Sequence, residues 1–268
     1  MPCGSSLVPW MLALALPCAS WATAVQGGQV PAINPLYTAA PASLDAAQIA
    51  SMQQLLADWP QLERYRADNA RLPAPKPGER RVVFYGDSIT DAWGRAPGTT
   101  FFSGKPFVNR GISGQTTAQM VVRFRQDVID LHPAAVVILA GTNDIAGNTG
   151  LAILPMIQDN FRSMVELAEA HGIRVVLASV LPTIDYPWHP GLAPAGRIRA
   201  LNAWLKSYAA AHGAVYLDYY DALVNAEGGM DRKLAADGVH PTPAGYAVMA
   251  PLALKAIADA LAGAPPAR

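Results

Sequence analysis

The sequence contains few cysteines and few charges, and each shortage excludes a class of protein. Only two of its 268 residues are cysteines, Cys3 and Cys18. A chain that loses this N-terminal segment has no disulfide, no cysteine nucleophile and no thiolate metal site. The 20 basic and 20 acidic residues cancel, and no basic stripe stands out. We therefore expect no nucleic-acid partner.

Long hydrophobic runs are also scarce. The apolar core at residues 7–16 is too short to span a bilayer, and no later run is expected to do so. Residues 1–24 are interpreted as a signal peptide that ends at a small-residue site at 22–24, which predicts a secreted or periplasmic protein without stable membrane insertion. Two alternatives remain. A signal peptide usually carries a Lys or Arg before its apolar core, and this segment has none. The first alternative is therefore that residues 1–24 form a cytosolic N-terminal arm. The second alternative is that Cys18 is modified with a lipid that anchors the protein to a membrane, although the preceding Pro17 disfavours this.

The rest of the chain divides into an arm and one main domain. Residues 25–78 are predicted to form an N-terminal arm, too small for a core of its own and packed on the main domain. Helical spacing of apolar residues predicts that 44–69 is helical, with a break at Trp59-Pro60. Residues 79–268 are predicted to form the main domain.

Strand-like and helix-like segments alternate throughout the main domain. The strand-like runs are almost continuously apolar, which is typical of strands covered on both faces. This alternation predicts a three-layer α/β/α sandwich around a five-stranded parallel sheet. Strands are expected at 81–85, 107–109, 135–140, 174–180 and 214–217, and long helices at 117–131, 153–171, 194–212 and 243–261.

Polar residues follow these strands, at the edge where parallel sheets bind ligands. Ser88 closes a Gly-Asp-Ser turn between the first strand and a helix-like segment. Gly114 follows the second strand and Asn143 the third, while Asp237 and His240 follow the fifth. A polar surface loop explains the glycines. It does not explain a serine, an asparagine and an Asp-x-x-His at the same edge.

These residues are suited to nucleophilic attack on an ester. A base must take the serine proton, histidine titrates near neutrality, and a carboxylate orients the imidazole. We therefore predict Ser88 as nucleophile, His240 as base and Asp237 as orienting group. The backbone N–H groups of Ser88 and Gly114 and the Asn143 amide are candidate oxyanion donors. The structural alternatives are a helix-capping serine, a glycine needed only for positive φ and a turn asparagine.

Other polar residues flank this edge. Tyr186, Trp188 and His189 lie in a proline-containing loop after the fourth strand. We expect them to line the substrate pocket; the alternative is a loop anchored by its aromatic residues. Asp87 and Asp144 are expected to be caps or turn formers. No metal-ligand or dinucleotide-binding spacing is found, so we expect neither metal nor cofactor.

The four motifs, taken in order, resemble the SGNH hydrolase superfamily, also called GDSL esterases and lipases. Its Gly-Asp-Ser motif matches Ser88, and its Gly-x-Ser-Gly-x-Thr motif matches Gly114. The Gly-x-Asn-Asp motif matches Asn143, and the closing Asp-x-x-His-Pro matches Asp237 and His240. Each motif alone is common. All four together, each after a predicted strand, are specific.

The resemblance covers roughly residues 80–261, with Ile89 where the family often has leucine. It implies a flavodoxin-like sandwich with strand order 2-1-3-4-5, and a cofactor-free esterase that forms a covalent acyl-enzyme. The stiff loop around Trp188 and the lack of a long apolar lid favour small acyl groups, such as O-acetyl groups on carbohydrates. Alternatives are a lysophospholipase, arylesterase or thioesterase with longer acyl or aryl substrates, or a non-catalytic carbohydrate-binding protein.

Overall fold

The computed structural model describes residues 44–263. The predicted signal peptide, both cysteines and residues 25–43 of the predicted arm lie outside this range. The predicted boundaries between signal peptide, arm and main domain therefore stay predictions.

The described part of the chain contains one parallel sheet, with its strands in the order β2-β1-β3-β4-β5. All four strand pairings are parallel. This confirms the predicted fold class and strand order. The strands are β1 (Val82–Gly86), β2 (Phe107–Gly111), β3 (Ala135–Leu139), β4 (Arg174–Ala178) and β5 (Val215–Leu217).

Helices connect the strands, and the four long ones predicted in the main domain are present. Two four-residue helices were not predicted, because a segment that short shows no helical period. In chain order the helices are α1 (Ala46–Ala57), α2 (Arg66–Arg71), α3 (Ser88–Ala92), α4 (Thr117–Asp127), α5 (Thr142–Ile145), α6 (Leu154–Ala170), α7 (Ala195–Ala211), α8 (Tyr220–Leu223) and α9 (Pro243–Ala262), with a 3₁₀ turn at Ile129–Leu131.

The sheet is covered on both faces, as its continuously apolar strands predict. Successive residues of β1 point to opposite sides, since side chains alternate along a strand. Val83 and Tyr85 join one buried cluster, to which α4, α6 and α7 contribute. Val82 and Phe84 join the other, with residues of α3 and α9. Two cores on one sheet make the three-layer sandwich.

The expectation that no later run is apolar and long enough to cross a membrane needs correction. Among the described residues, α9 meets both criteria, with 20 residues and a window of mean hydropathy 1.3. Tyr246, Met249, Ala253 and Ile257 of this helix are buried in the second core. Packing against the sheet therefore accounts for the apolar composition of α9.

The segment around α2 is attached to the sheet through a buried tyrosine. The hydroxyl of Tyr65 donates a hydrogen bond to the carbonyl of Gly111, at the end of β2. The guanidinium groups of Arg64 and Arg110 lie 4.6 and 4.7 Å from the centre of its ring. Contacts of this kind fix the chain that follows α1 against the β2 edge of the sheet.

Candidate active site

The carboxyl edge of the sheet brings together residues that lie far apart in sequence. Ser88 is the first residue of α3, directly after β1, and Asn143 belongs to α5, directly after β3. Gly114 follows β2, Trp188 follows β4 and His240 follows β5. All five line one cavity of about 340 Å³. The sheet therefore places the predicted nucleophile, base and oxyanion donors around a single cavity.

Three side chains form a continuous chain of hydrogen bonds. Ser88 Oγ lies 2.9 Å from His240 Nε2, and His240 Nδ1 lies 2.6 Å from Asp237 Oδ2. An ionised carboxylate only accepts hydrogen bonds, so Nδ1 donates to Asp237. In the neutral imidazole this leaves Nε2 as the acceptor for the Ser88 hydroxyl. The geometry is the one that proton transfer from serine to histidine requires.

Asp237 is held as a carboxylate by its own loop. Its Oδ1 accepts the backbone N–H groups of Val239 at 2.9 Å and of His240 at 2.8 Å. Partial burial by itself raises the pKa of Asp237, but hydrogen bonds from the His240 side chain and from these backbone groups outweigh it. The net pKa lies below its usual value, so Asp237 is charged at neutral pH and able to orient the imidazole.

The side-chain amide of Asn143 is buried and fixed in orientation. Its Nδ2 donates to the carbonyl of Gln115 at 3.0 Å, and its Oδ1 accepts from Asn148 Nδ2 at 2.7 Å. Asn148 Oδ1 in turn accepts from Trp188 Nε1 at 3.0 Å. The second Nδ2 hydrogen of Asn143 has no acceptor within residues 44–263. It is available to a negatively charged oxygen in the cavity.

Gly114 has a φ of +79°, in the left-handed region that favours glycine. A Cβ atom there would meet nothing within 4 Å, so backbone conformation and not space calls for glycine. In the described range, neither the Gly114 N–H nor the Ser88 N–H donates to another protein group. Both amides are therefore free to act as donors. The alternative that Gly114 is needed only for its positive φ stays open.

Of the three aromatic residues expected to line the pocket, the structure brings only Trp188 to it. The expectation needs correction for Tyr186 and His189. Tyr186 is fully buried, with its hydroxyl 2.9 Å from Thr142 Oγ1 and its ring centre 5.1 Å from that of Trp188. His189 Nδ1 lies 2.8 Å from the carbonyl of Ala146. Both residues anchor the loop that presents Trp188.

Several cavity residues were missed by the sequence analysis. Met52 and Leu55 of α1 line the cavity, although they precede Ser88 by more than thirty positions. No local pattern could show this, because only tertiary packing brings α1 to the site. Asn148 carried a weak signal, as a polar residue just after Asn143 in a glycine-rich turn.

Two buried carboxyl groups lie beside the site in the capping positions expected of them. Asp87 caps α3 by accepting the Ile89 N–H at 3.0 Å. Burial raises its pKa to about 7, while the Ile89 hydrogen bond and the charge of His240 lower it in part. Asp144 accepts from the Thr117 N–H at 2.9 Å and from the Thr117 hydroxyl. Burial raises its pKa to about 6, partly offset by these bonds.

The raised pKa of Asp87 predicts a pH-dependent loss of stability. The folded protein keeps a proton on Asp87 that the unfolded chain releases, so this group destabilises the fold as pH rises from about 4 to about 7. In Asp87→Asn the helix cap is kept and this dependence disappears. We expect the stability of the variant relative to wild type to rise by roughly 2 kcal/mol between pH 5 and pH 8.

Thermal unfolding of both proteins across this pH range measures the difference. Asp130→Asn, at an exposed carboxyl, serves as control and should show a constant difference from wild type. Parallel curves for wild type and Asp87→Asn would show that Asp87 is already charged in the folded protein at pH 5.

Comparison with known proteins agrees with the fold and with the motifs at this site. Residues 84–248 match the model of the GDSL-like lipase/acylhydrolase family, which is more than half of the 268 residues. The chain belongs to this family, whose members hydrolyse esters. The match includes all four sequence motifs, whereas α1 and α2 lie outside it.

Individual relatives support this assignment. The crystal structure of a GDSL-like lipase from Bacteroides thetaiotaomicron is 42% identical, with a TM-score of 0.73, and the match covers 76% of this chain and 100% of that one. Esterase TesA of Pseudomonas aeruginosa is 32% identical over 139 residues, or 50% of this chain and 60% of the esterase. The uncharacterized lipoprotein YqeF of Bacillus subtilis is 30% identical over 125 residues, or 40% of this chain and 51% of the lipoprotein. The chain thus spans between half and three fifths of these two curated relatives.

Proposed function

We propose that this chain is a serine esterase that hydrolyses short-chain carboxylic esters, among them O-acetyl groups on carbohydrates. The observation that carries the proposal is the 2.9 Å contact between Ser88 Oγ and His240 Nε2, with Asp237 on the other ring nitrogen. A serine beside an oriented histidine is an activated nucleophile. Membership of an ester hydrolase family supports the same chemistry.

The reaction proceeds through a covalent acyl-enzyme. Ser88 Oγ attacks the ester carbonyl while His240 Nε2 takes the hydroxyl proton, and Asp237 stabilises the resulting imidazolium. The Ser88 and Gly114 N–H groups and Asn143 Nδ2 donate to the oxyanion. The ester C–O bond then breaks, and His240 returns its proton to the leaving alkoxide. His240 then takes a proton from water, which attacks the acyl carbonyl. The bond between the acyl carbon and Ser88 Oγ breaks, His240 returns the proton to Oγ, and the carboxylic acid is released.

The lining of the cavity favours a small acyl group on a polar alcohol. Its volume of about 340 Å³ is small for a ligand site. Ser113 and Thr149 contribute polar side chains to its lining. Trp188 is 40% exposed, and its ring centre lies 5.9 Å from that of His240. An aromatic ring with one apolar face open to the cavity suits the face of a sugar.

A second candidate is an esterase for longer acyl or aryl groups, including a lysophospholipase or thioesterase. Similarity to a GDSL-like lipase from Bacteroides thetaiotaomicron favours it. The alternative of a non-catalytic carbohydrate-binding protein finds less support, because binding alone has no need of the contacts joining Ser88, His240 and Asp237.

A series of p-nitrophenyl esters from acetate to octanoate, with acetylated oligosaccharides beside it, separates these candidates. For the short-chain esterase we expect kcat/KM for acetate to exceed that for octanoate by roughly tenfold or more, since a small cavity has no room for the extra methylenes. Release of acetate from an acetylated oligosaccharide would support the carbohydrate substrate. Fastest turnover of octanoate would favour the second candidate.

We also propose that residues 1–24 are removed on export to the periplasm or the medium. The apolar core at 7–16 and its small-residue cleavage site support this, as does similarity to a lipoprotein. The similarity also keeps the alternative of a lipid anchor at Cys18 open. The mass of the exported protein decides: cleavage predicts a chain that begins at Val25, whereas a lipid on Cys18 adds its own mass.

A further inference from the structure

Helix α1 presents one face to the cavity although it lies outside the matched family region. None of its twelve residues is buried. Its only half-buried residues are Gln48, Met52 and Leu55, whose spacing of four and three places them on one helical face. Met52 and Leu55 line the cavity of Ser88. Two of the three half-buried residues of α1 therefore face the site.

The end of α1 is held in place by hydrogen bonds to the main domain. Gln115 Nε2 donates to the carbonyl of Pro60 and Gln119 Nε2 to the carbonyl of Trp59, both at 2.7 Å. Asp58, just after the helix, accepts the Leu62 N–H at 2.8 Å. These contacts fix the chain leaving α1 beside the start of α4. They give the cavity a defined wall at this end.

The sheet order places this wall at the acyl end of the cavity. Gln115 and Gln119 follow β2, the edge strand, so the α1 wall stands at the β2 end of the site. Trp188 follows β4 and lies beside His240, on the other side of Ser88. Because the imidazole must protonate the leaving alkoxide, the alcohol occupies the His240 end. The acyl group then extends towards α1.

We propose that Met52 and Leu55 close the acyl end of the cavity and limit the length of the acyl chain that the enzyme accepts. This inference rests on the proposed esterase function and adds a residue-level determinant of its specificity. A short acyl group fits between Ser88 and the α1 wall. A longer one must displace the two apolar side chains, and shortening them opens the space that its methylenes need.

The test compares Met52→Ala, Leu55→Ala and the double variant with wild type on p-nitrophenyl acetate, butyrate, hexanoate and octanoate. In the double variant we expect the ratio of kcat/KM for octanoate to that for acetate to rise by roughly tenfold, the usual effect of making room for methylenes. Met52→Trp should act in the opposite direction and lower butyrate turnover relative to acetate.

Leu56→Ala is the matched control, because Leu56 adjoins Leu55 on the same helix but is 84% exposed. It should keep the wild-type chain-length profile. An unchanged profile in both the double variant and Met52→Trp, or the same shift in Leu56→Ala, would overturn the inference and leave the esterase proposal intact. Failure of the wild type to hydrolyse any of the esters would overturn the proposed function, and the inference with it. Unfolding curves confirm that each variant is folded.

Discussion

Ser88→Ala is expected to lower ester hydrolysis by at least roughly 10⁴-fold, because it removes the hydroxyl that lies within hydrogen-bonding distance of His240 Nε2. The remaining rate is that of direct attack by water on a bound ester whose developing oxyanion is still stabilised by the oxyanion donors. The measurement is hydrolysis of p-nitrophenyl acetate by purified protein, at matched folded fraction. Ser88 is half-buried at the start of a helix, so the loss of its hydroxyl leaves the core unchanged.

Ser207→Ala is a suitable control for this experiment. Ser207 is exposed on α7, far along the chain from all four motifs, and its variant should keep wild-type activity. If Ser88→Ala retained more than about one hundredth of the wild-type rate, Ser88 would not be the nucleophile.

Asp237→Asn is expected to lower kcat by roughly 10³ to 10⁴-fold with little change in KM. Asparagine matches aspartate in shape but has no charge, and its amide donates where the carboxylate accepts. A donor facing His240 Nδ1 favours the tautomer with the proton on Nε2, and that nitrogen then cannot accept the Ser88 proton. Hydrogen bonds from its own loop and from His240 hold the pKa of Asp237 below its usual value, which favours the charged form.

The kinetic constants of Asp237→Asn should be compared with those of Asp221→Asn, which alters an exposed carboxyl in α8. We expect the control to behave as wild type. A loss of less than tenfold in Asp237→Asn would mean that the imidazole is oriented by some other group, and the proposed role of Asp237 would be wrong.

The fold was predictable because its main signals are local. Five apolar runs without polar alternation indicated buried parallel strands, and the chain between them carried helical spacing. The strand order came from the family resemblance, and the structure confirms it. The sequence reading did not recognise that α9 is long and apolar enough to cross a membrane. Most of the apolar residues of this helix pack against the sheet.

The site was predictable only where a residue has a fixed place relative to a strand end. Ser88 and Asn143 follow strands directly, so sheet geometry brings them together. Tyr186 and Trp188 lie in the same loop, yet one is buried and the other faces the cavity. A loop has no period from which side-chain direction can be read. The α1 wall at Met52 depends on contacts between distant segments, which no local pattern records.

We propose that Ser88, activated by His240, is the residue that becomes acylated during the reaction. Mass spectrometry of the protein treated with an alkyl fluorophosphonate tests it directly, since such reagents trap activated serines as stable adducts. We expect a single adduct on Ser88, much slower labelling in His240→Ala and none in Ser88→Ala. An adduct on a different residue, or an unlabelled Ser88 in protein that still hydrolyses esters, would contradict it.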